Sequence, residues 1–371
     1  MSRKVRVLTV FGTRPEAIKM APLVKEFESR PEEFESFVCV SAQHREMLDS
    51  VLNLFEIKPD FDLDIMRKNQ NLHEITSTVL VQTKKVYEEV KPDIVLVHGD
   101  TTTAAAAALS AFYLKIPVGH IEAGLRTFDK FNPFPEEINR VLADAVSSYM
   151  FAPTDTSVKN LIDAGCDPER VYKTGNTVID ALLYVLKNKP ADISEIVPDN
   201  GLKTILVTAH RRENFGEPLE NICKALIEIT EKEKDVQIVY PVHPNPNVKG
   251  TAERFLAGKE RIILTPPADY APFSCLMKHA CLILSDSGGI QEEAPSLGKP
   301  VLVLRKTTER PEAVEYGTVK LVGTETENIV NEVQKLLHDE NEYKKMSEAI
   351  NPYGDGTACR KTADTLVKIF G

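Results

Sequence analysis

Short apolar runs alternate with longer amphipathic segments along the whole chain. The apolar runs are rich in Val, Ile and Leu and are bounded by turn residues, as expected of strands buried on both faces of a parallel sheet. They predict strands at 5–11, 37–41, 94–97, 118–121, 149–152, 171–174, 204–208, 236–242, 262–265, 282–284 and 301–304. Helices are predicted at 71–90, 104–114, 135–148, 178–187, 327–337, after 339 and at 357–370. A strand followed by a helix, repeated, indicates an α/β fold.

The pattern breaks once, between residues 188 and 202. This stretch contains Pro190, Pro198, Asn200 and Gly201 and is the most linker-like part of the sequence. It divides the chain into two βαβα halves. We therefore predict two doubly wound, Rossmann-like domains, 1–188 and 203–355, whose strand ends point into a cleft between them.

Composition narrows the class of protein. A length of 371 residues with 42% hydrophobic content favours two domains over one, and a formal net charge of −10 argues against a nucleic-acid partner. The first strand begins within a few residues of the start and no apolar run approaches membrane-spanning length, so we expect a cytoplasmic protein without a membrane partner. Six cysteines without Cys-x-x-Cys spacing indicate reduced thiols rather than a zinc or disulfide framework.

The stretch 282–294 combines a buried strand, a glycine turn and a helix start. Ser287 is a natural N-cap, and Gly288 and Gly289 allow close approach of backbone N–H groups to a ligand at the start of a helix predicted from Ile290. This pattern predicts an anion site. Acidic residues at 292 and 293 suit sugar hydroxyls better than phosphate, so we interpret the ligand as a nucleotide with a ribose. An ordinary capped turn is the alternative.

Two cations follow the first strand, at the start of the next helix. Arg14 and Lys19 lie where a helix N-terminus disfavours positive charge, which makes sense if an anion balances them. Arg14 is therefore a candidate phosphate ligand, although both side chains also suit a solvated surface. The Gly-x-Gly-x-x-Gly fingerprint of dinucleotide-binding domains is missing here and after every other predicted strand.

Several chemically active residues follow predicted strands or begin helices. Asp100 and Glu122 each follow a strand, and Glu136 lies in the first turn of a helix. Ligands of open α/β sheets bind at the carboxyl ends of strands, so we expect these carboxylates to converge at one sheet edge. His210 follows another strand, and Arg310 lies in a charged segment predicted to be a mobile loop. Helix capping is the alternative role for Asp100 and Glu136.

Taken together, several motifs resemble the non-hydrolysing UDP-N-acetylglucosamine 2-epimerases. The resemblance covers both predicted domains nearly end to end. The motifs are FGTRPE (11–16), HGDTT (98–102), EAGLR (122–126), GNT (175–177), HRRE (210–213) and the segment 285–300. The resemblance implies the glycosyltransferase-B arrangement of two Rossmann-like domains, with the last helix, 356–371, packed back on the first domain. It also implies a homodimer that uses neither nicotinamide nor metal.

Members of this family interconvert UDP-N-acetylglucosamine and UDP-N-acetylmannosamine, which supplies ManNAc units for cell-surface polysaccharide. By resemblance, UDP leaves C1 as the C2 proton is lost, and a proton returns to the opposite face of the 2-acetamidoglucal intermediate while UDP re-adds. A hydrolysing epimerase, a glycosyltransferase and a nucleotide-sugar sensor remain alternatives for the same architecture.

The resemblance assigns residue roles by position. The acid and base groups would be Asp100, Glu122 and Glu136, and the resemblance does not assign which of them takes the C2 proton. His210 would stabilise the departing diphosphate. The predicted nucleotide contacts are Arg14, Lys19, His210, Ser287, Gly288, Gly289, Glu293 at the ribose and Arg310. A second UDP-N-acetylglucosamine, bound as an activator, is expected at Gln43, His44, Gln70, Arg211 and His243. Asn69 stands where some regulated members have arginine.

Overall fold

The computed structural model describes residues 3–42, 45–67 and 70–371. The chain divides into two compact units, residues 1–184 together with 353–371, and residues 185–352. We had expected the division between residues 188 and 203. The two compact units meet in the sequence between Tyr184 and Val185, inside the helix Thr177–Asn188 and close to that stretch, and the predicted domain bounds stay a prediction.

Within the described residues, parallel strands form one sheet in each unit. The first sheet has the order β3-β2-β1-β4-β5-β6-β7 and the second β10-β9-β8-β11-β12-β13. The strands are β1 Val5–Phe11, β2 Phe34–Val40, β3 Phe61–Asp62, β4 Ile94–His98, β5 Val118–Ile121, β6 Tyr149–Ala152, β7 Val171–Lys173, β8 Lys203–Thr208, β9 Val236–Pro241, β10 Ile262–Thr265, β11 Leu282–Ser285, β12 Val301–Val303 and β13 Val319–Leu321. Both orders are Rossmann-like, as expected. The order reverses between β1 and β4 in one sheet and between β8 and β11 in the other, which marks two potential ligand sites.

Helices connect the strands in both units. They are α1 Arg14–Glu28, α2 Arg45–Leu54, α3 Leu72–Val90, α4 Thr102–Tyr113, α5 Glu136–Val146, α6 Asp155–Asp163, α7 Thr177–Asn188, α8 Glu217–Lys232, α9 Pro246–Leu256, α10 Tyr270–His279, α11 Gly288–Glu293, α12 Pro311–Glu315, α13 Thr326–His338, α14 Glu340–Ser347 and α15 Ala358–Phe370. Short 3₁₀ turns lie at Pro168–Arg170, Arg212–Asn214 and Ala294–Leu297. Among the described residues there is no helix with the length and apolar character needed to span a bilayer.

The last helix, α15, belongs to the first unit and packs against α1. Arg30, which follows α1, donates to Asp364 at 2.7 Å. The carboxylate of Asp180 in α7 accepts the backbone N–H groups of Ala358 and Cys359 at 3.2 and 2.9 Å. The acid therefore caps the first turn of α15, where backbone donors have no partner within the helix. The last helix is thus bound to the rest of the first unit at its start and at its middle.

Most predicted strands and helices are present, but three features differ. Strand β2 begins three residues earlier than expected, at Phe34, since its first half is only partly buried and lacks a continuous apolar run. The short strand β13 was not predicted, because Thr318, Lys320 and a glycine interrupt its apolar pattern. Helix α11 begins at Gly288 rather than Ile290. All six cysteines are free thiols, as expected.

Candidate functional site

The turn after β1 lies at the switch point of the first sheet. A Cβ atom at Gly12 would lie 1.8 Å from Oγ of Ser41 and 2.9 Å from Oγ1 of Thr103, so the turn packs too closely for any side chain here. The buried carboxylate of Glu16 accepts the N–H groups of Gly12 and Thr13 at 3.0 and 2.7 Å. This bond pattern is a capping box, and it fixes the entry into α1.

Glu16 also links this turn to the neighbouring strand end. The hydroxyl of Thr101 donates to Oε1 of Glu16 at 2.6 Å, and Thr101 itself is the N-cap of α4. Burial raises the pKa of Glu16, while hydrogen bonds from Thr101 and the turn act in the opposite direction. The loops after β1 and β4 are therefore joined by one buried acid, a role that the sequence analysis did not assign to Glu16.

The two predicted strand-end carboxylates lie on adjacent strands. Strands β4 and β5 pair in register, with His98 beside Ile121, so Asp100 and Glu122 follow neighbouring strand ends. Glu122 has a φ of +63°, the left-handed region that a non-glycine residue rarely adopts. Such strain costs about 1–3 kcal/mol and often clusters at functional sites, although seven other described non-glycine residues of this chain share it. It supports a functional role for Glu122.

The carboxylate of Glu122 is surrounded by polar partners. Lys19 of α1 forms an ion pair with Oε1, and Nδ2 of Asn176 donates to the same oxygen at 2.8 Å. Nε2 of His98 lies 3.6 Å from Oε2, and burial lowers the pKa of His98 to about 3, so this imidazole is neutral at neutral pH. Lys19 was predicted to lie close to a diphosphate; the structure pairs it with a predicted acid–base group. Asn176 belongs to the GNT motif but had received no role.

Asp100 is paired with a cation from helix α5. Its carboxylate forms an ion pair with Arg140, whose Nη1 donates to Oε2 of Glu137 at 2.9 Å. Glu137 is buried and accepts the N–H groups of Thr127 and Phe128 at 3.1 and 3.0 Å, which anchors the loop between β5 and α5. The second acid of the Glu136-Glu137 pair is therefore structural.

Glu136 is the first residue of α5 and is half-buried. Its side chain makes no ion pair with any residue that the structure describes. Glu136 and Arg140 are four residues apart and so lie on one face of the helix. Since Arg140 binds Asp100, Glu136 occupies the helix face directed towards the end of β4. Arg14 at the start of α1 is also half-buried, and its guanidinium makes no hydrogen bond or ion pair within the described part of the chain.

The second sheet also has a buried acid at its switch point, Asp286, directly after β11. Its Oδ2 accepts the backbone N–H groups of His210 and Arg211, both at 2.8 Å, and Nδ2 of Asn214 at 3.0 Å. Oδ1 lies 3.4 Å from Nδ1 of His210. Asp286 therefore shapes the turn after β8 and lies beside the imidazole. The sequence analysis missed it, although its place at the end of a buried strand was a usable signal.

His210 stacks on a second imidazole. The rings of His210 and His243 are nearly parallel, with centroids 5.4 Å apart. Burial lowers the pKa of His210 below its usual value, although the charge of Asp286 acts in the opposite direction. The lowered pKa favours the neutral form of the His210 ring at neutral pH.

Gly288 lies between two guanidinium groups. A Cβ atom at this position would lie 3.8 Å from Nη2 of Arg211 and 3.9 Å from both Cζ and Nη2 of Arg310. Ser287 is the N-cap of α11, but its hydroxyl makes no capping hydrogen bond, so the first backbone donors of the helix have no side-chain partner there. Arginine forks and backbone N–H groups are the donors that phosphate prefers. This cluster of Arg211, Arg310 and the 287–289 turn is hereafter the arginine cradle.

The loop that carries Arg310 is held against α11. Arg310 forms an ion pair with the buried carboxylate of Glu292, and the hydroxyl of Thr308 donates to Oε1 of Gln291 at 2.6 Å. These bonds hold the segment against α11, and its mobility stays a prediction. Glu292 has an ionic partner, and the sugar contact considered for it stays a prediction. The adjacent Glu293 accepts the hydroxyl of Tyr270 at 2.8 Å, and its other predicted role, the ribose contact, stays a prediction.

The structure describes only some of the residues that we expect to bind an activating UDP-N-acetylglucosamine. Gln43, His44 and Asn69 lie outside the described residues, and Gln70 precedes the N-cap of α3. In the second unit, Arg211 lines the arginine cradle and His243 stacks on His210. The two predicted sets of ligand contacts are therefore contiguous in this unit.

Comparisons with known proteins agree with this geometry. A family profile described as UDP-N-acetylglucosamine 2-epimerase matches residues 25–367. The UDP-N-acetylglucosamine 2-epimerase of Salmonella typhimurium (strain LT2) is 57% identical over 370 residues, which are 98% of this chain and 98% of that protein.

Solved structures give the same result. The UDP-GlcNAc 2-epimerase from Neisseria meningitidis, bound to UDP-GlcNAc, matches with a TM-score of 0.86 and 53% identity over 98% of this chain and 100% of that one. The enzyme from Methanocaldococcus jannaschii, in complex with UDP-GlcNAc and UDP, matches with a TM-score of 0.76 and 35% identity, again over 98% and 100%. The fold, the profile and these relatives show that the chain belongs to the UDP-N-acetylglucosamine 2-epimerase family.

Proposed function

We propose that this protein interconverts UDP-N-acetylglucosamine and UDP-N-acetylmannosamine by inverting C2 of the sugar without hydrolysing the nucleotide sugar. The observation that supports this most directly is the strained Glu122 beside Asp100 at one switch point, because an epimerase needs acid and base groups that a nucleotide-binding protein does not. The arginine cradle of the second unit supplies the complementary function, an anion site for the diphosphate.

The chemistry accounts for both sets of residues. The C2 proton has no adjacent carbonyl to acidify it, so we propose that the C1–O bond to UDP breaks as a carboxylate removes the C2 proton, giving 2-acetamidoglucal and UDP. A proton then adds to the opposite face of C2 while UDP re-forms its bond to C1. Asp100, Glu122 and Glu136 are the proposed acid and base groups. General acid–base catalysis of this kind contributes roughly 10²- to 10⁴-fold to a rate.

The nucleotide must remain bound while it is detached from the sugar. We propose that Arg14, Ser287, Gly288, Gly289 and Arg310 bind the diphosphate. His210, whose ring lies beside Asp286, would donate to the oxygen on which charge develops as UDP departs. Glu293, whose carboxylate is already oriented by Tyr270, is the proposed ribose contact. Lys19 is better placed to control the carboxylate of Glu122 than to bind phosphate.

Incubation with UDP-N-acetylglucosamine in deuterated water tests the proposal. We expect one deuterium at C2 of both epimeric nucleotide sugars, with no free sugar released. Accumulation of free N-acetylmannosamine and UDP would establish the hydrolysing alternative. Binding of UDP-N-acetylglucosamine without deuterium exchange would establish a sensor and refute the proposed activity.

We also propose that a second UDP-N-acetylglucosamine activates the enzyme through Gln70, Arg211 and His243, together with the residues at 43 and 44. Arg211 belongs to the arginine cradle, and His243 stacks on His210. A ligand bound at Arg211 and His243 would therefore alter the contacts of the residues proposed to bind the substrate, which supports the proposal. Initial rates should then rise sigmoidally with UDP-N-acetylglucosamine and hyperbolically in the His243→Ala variant. A hyperbolic wild-type curve would refute activation.

A further inference from the structure

His120 is a fully buried histidine that none of the roles above uses. It lies in β5, two residues before Glu122. Its Nδ1 is 2.6 Å from Oδ1 of Asp144 in α5, and its Nε2 is 2.7 Å from the carbonyl oxygen of Gly99, which directly precedes Asp100. One imidazole therefore connects the ends of β4 and β5 with the helix that carries Glu136.

Both partners of this ring are hydrogen-bond acceptors. A carbonyl oxygen can only accept, so Nε2 must carry a proton. Asp144 is ionised, since Nη2 of Arg126 lies 2.6 Å from its other oxygen. An ionised carboxylate accepts at both oxygens, so Nδ1 must carry a proton as well.

A ring that donates from both nitrogens is an imidazolium. The charged groups that face it are Asp144 and, through that carboxylate, Arg126. The adjacent His98 does not share the charge, because burial lowers its pKa to about 3. A buried cation is tolerated when it is paired and fully hydrogen-bonded, and His120 meets both conditions.

The backbone N–H and C=O groups of Gly99 both form hydrogen bonds with residues of β5. Its N–H donates to the carbonyl of Ile121 at 2.9 Å, and its carbonyl accepts from His120 at 2.7 Å. Asp100 is the next residue along the chain. A charged hydrogen bond to this carbonyl therefore fixes the backbone from which the Asp100 side chain projects, relative to the strand end that carries Glu122.

We propose that His120 is a permanently protonated imidazolium, and that it acts as a positioning residue for Asp100 by donating a charged hydrogen bond to the carbonyl of Gly99. The protonation of His120 stands on the structure alone, whereas the positioning of Asp100 for catalysis rests on the proposed function.

Nuclear magnetic resonance of the ¹⁵N-histidine-labelled protein tests the protonation. The His120 signals are identified by their loss in His120→Gln. At pH 8.5 we expect both ring nitrogens to carry protons, because each of them faces a hydrogen-bond acceptor. In Asp144→Asn an amide N–H replaces the accepting oxygen, so one ring nitrogen should lose its proton. An unprotonated ring nitrogen in the wild-type protein at pH 8.5 would overturn the proposal.

A matched pair of substitutions tests the positioning. The amide nitrogen of glutamine takes the place of Nε2, so His120→Gln keeps a donor to Gly99. The amide nitrogen of asparagine takes the place of Nδ1, so His120→Asn keeps only the bond to Asp144. Since a misplacement of about 1 Å can lower a rate by about 100-fold, we expect kcat to fall by up to about 100-fold in His120→Asn and by less than about tenfold in His120→Gln. UDP affinity should be unchanged in both.

A substitution at the protein surface controls for the chemical change from aspartate to asparagine. Asp163→Asn makes the same chemical change as Asp144→Asn at an exposed ion pair with Lys159, and it should change neither kcat nor the histidine signals. Equal kcat values for His120→Gln and His120→Asn, measured well below both melting temperatures, would refute the positioning role. Absence of epimerisation in the wild-type protein would refute the proposed function and leave the protonation result intact.

Discussion

Replacement of Gly288 by alanine should separate ligand binding from folding. The added Cβ would meet Arg211 and Arg310 at 3.8–3.9 Å, which is ordinary contact, and Gly288 does not have a positive φ. Alanine also has less conformational freedom to lose on folding than glycine, so the free energy of unfolding should be unchanged or rise by about 0.4–1 kcal/mol. The protein should therefore fold normally.

The same methyl group should obstruct the diphosphate. A phosphate oxygen that accepts from a guanidinium lies within about 2.9 Å of the nitrogen, so it needs the space between Gly288 and the two arginines. Loss of one charged hydrogen bond costs about 1.5–3 kcal/mol. We expect the Kd for UDP to rise by about 10- to 150-fold, as measured by isothermal titration calorimetry.

Gly250 provides the matched control. It lies inside α9, and a Cβ at this position would have no neighbour within 4 Å. Gly250→Ala should therefore show the same small gain in stability with unchanged UDP affinity. Wild-type affinity in Gly288→Ala would show that UDP does not use the arginine cradle. A parallel loss of thermal stability would show that the substitution disturbs the fold, and would refute the contact argument.

Four further predictions follow from the first unit. Arg14→Ala should weaken UDP binding by about 1.5–3 kcal/mol in calorimetry, and unchanged affinity would remove this residue from the site. Glu122→Gln, and likewise Asp100→Asn, should lower kcat by about 10²- to 10⁴-fold in the deuterium-exchange assay with UDP affinity retained; near-normal turnover would exclude the substituted carboxylate as acid or base. Burial keeps His98 neutral in the folded protein, whereas the unfolded chain takes up a proton at this residue, so the free energy of unfolding should fall as pH drops from about 6.5 towards 3. The decrease should be steeper than in His98→Asn by about 1.4 kcal/mol per pH unit. Equal slopes in urea titrations of the two proteins would contradict this. Gly12→Ala should lower the unfolding free energy by about 1–3 kcal/mol through overpacking against Ser41, and Ser41→Gly should restore part of the loss.

The sequence predicted most of the fold because both sheets are built from buried parallel strands. Such strands appear as continuous apolar runs, as at Ile94–His98 and Leu282–Ser285, and their ends mark the ligand-binding edge. The positions of Asp100 and Glu122 on adjacent strand ends followed from this rule. Strand β13 escaped prediction because only three residues pair and a lysine lies among them.

Pairing between side chains was much less predictable. The ion pairs Lys19–Glu122 and Arg310–Glu292 join residues that are 103 and 18 positions apart, and no local pattern specifies them. The same holds for Asp286, whose acceptor role depends on the N–H groups of a turn some 75 residues earlier. Sequence periodicity reports which face of an element is buried, whereas these partners depend on the packing of whole units.

One feature recurs in both units with the chain order reversed. In the first unit Glu16 bridges the two loops at the switch point, and it lies in the helix after β1, the first strand of the pair β1 and β4. In the second unit Asp286 lies in the loop after β11, the second strand of the pair β8 and β11. The two units therefore meet one requirement with different residues. The ordering entropy of a ligand-binding loop is lost during folding, so substrate encounters a rigid surface and its binding free energy is not spent on arranging the protein.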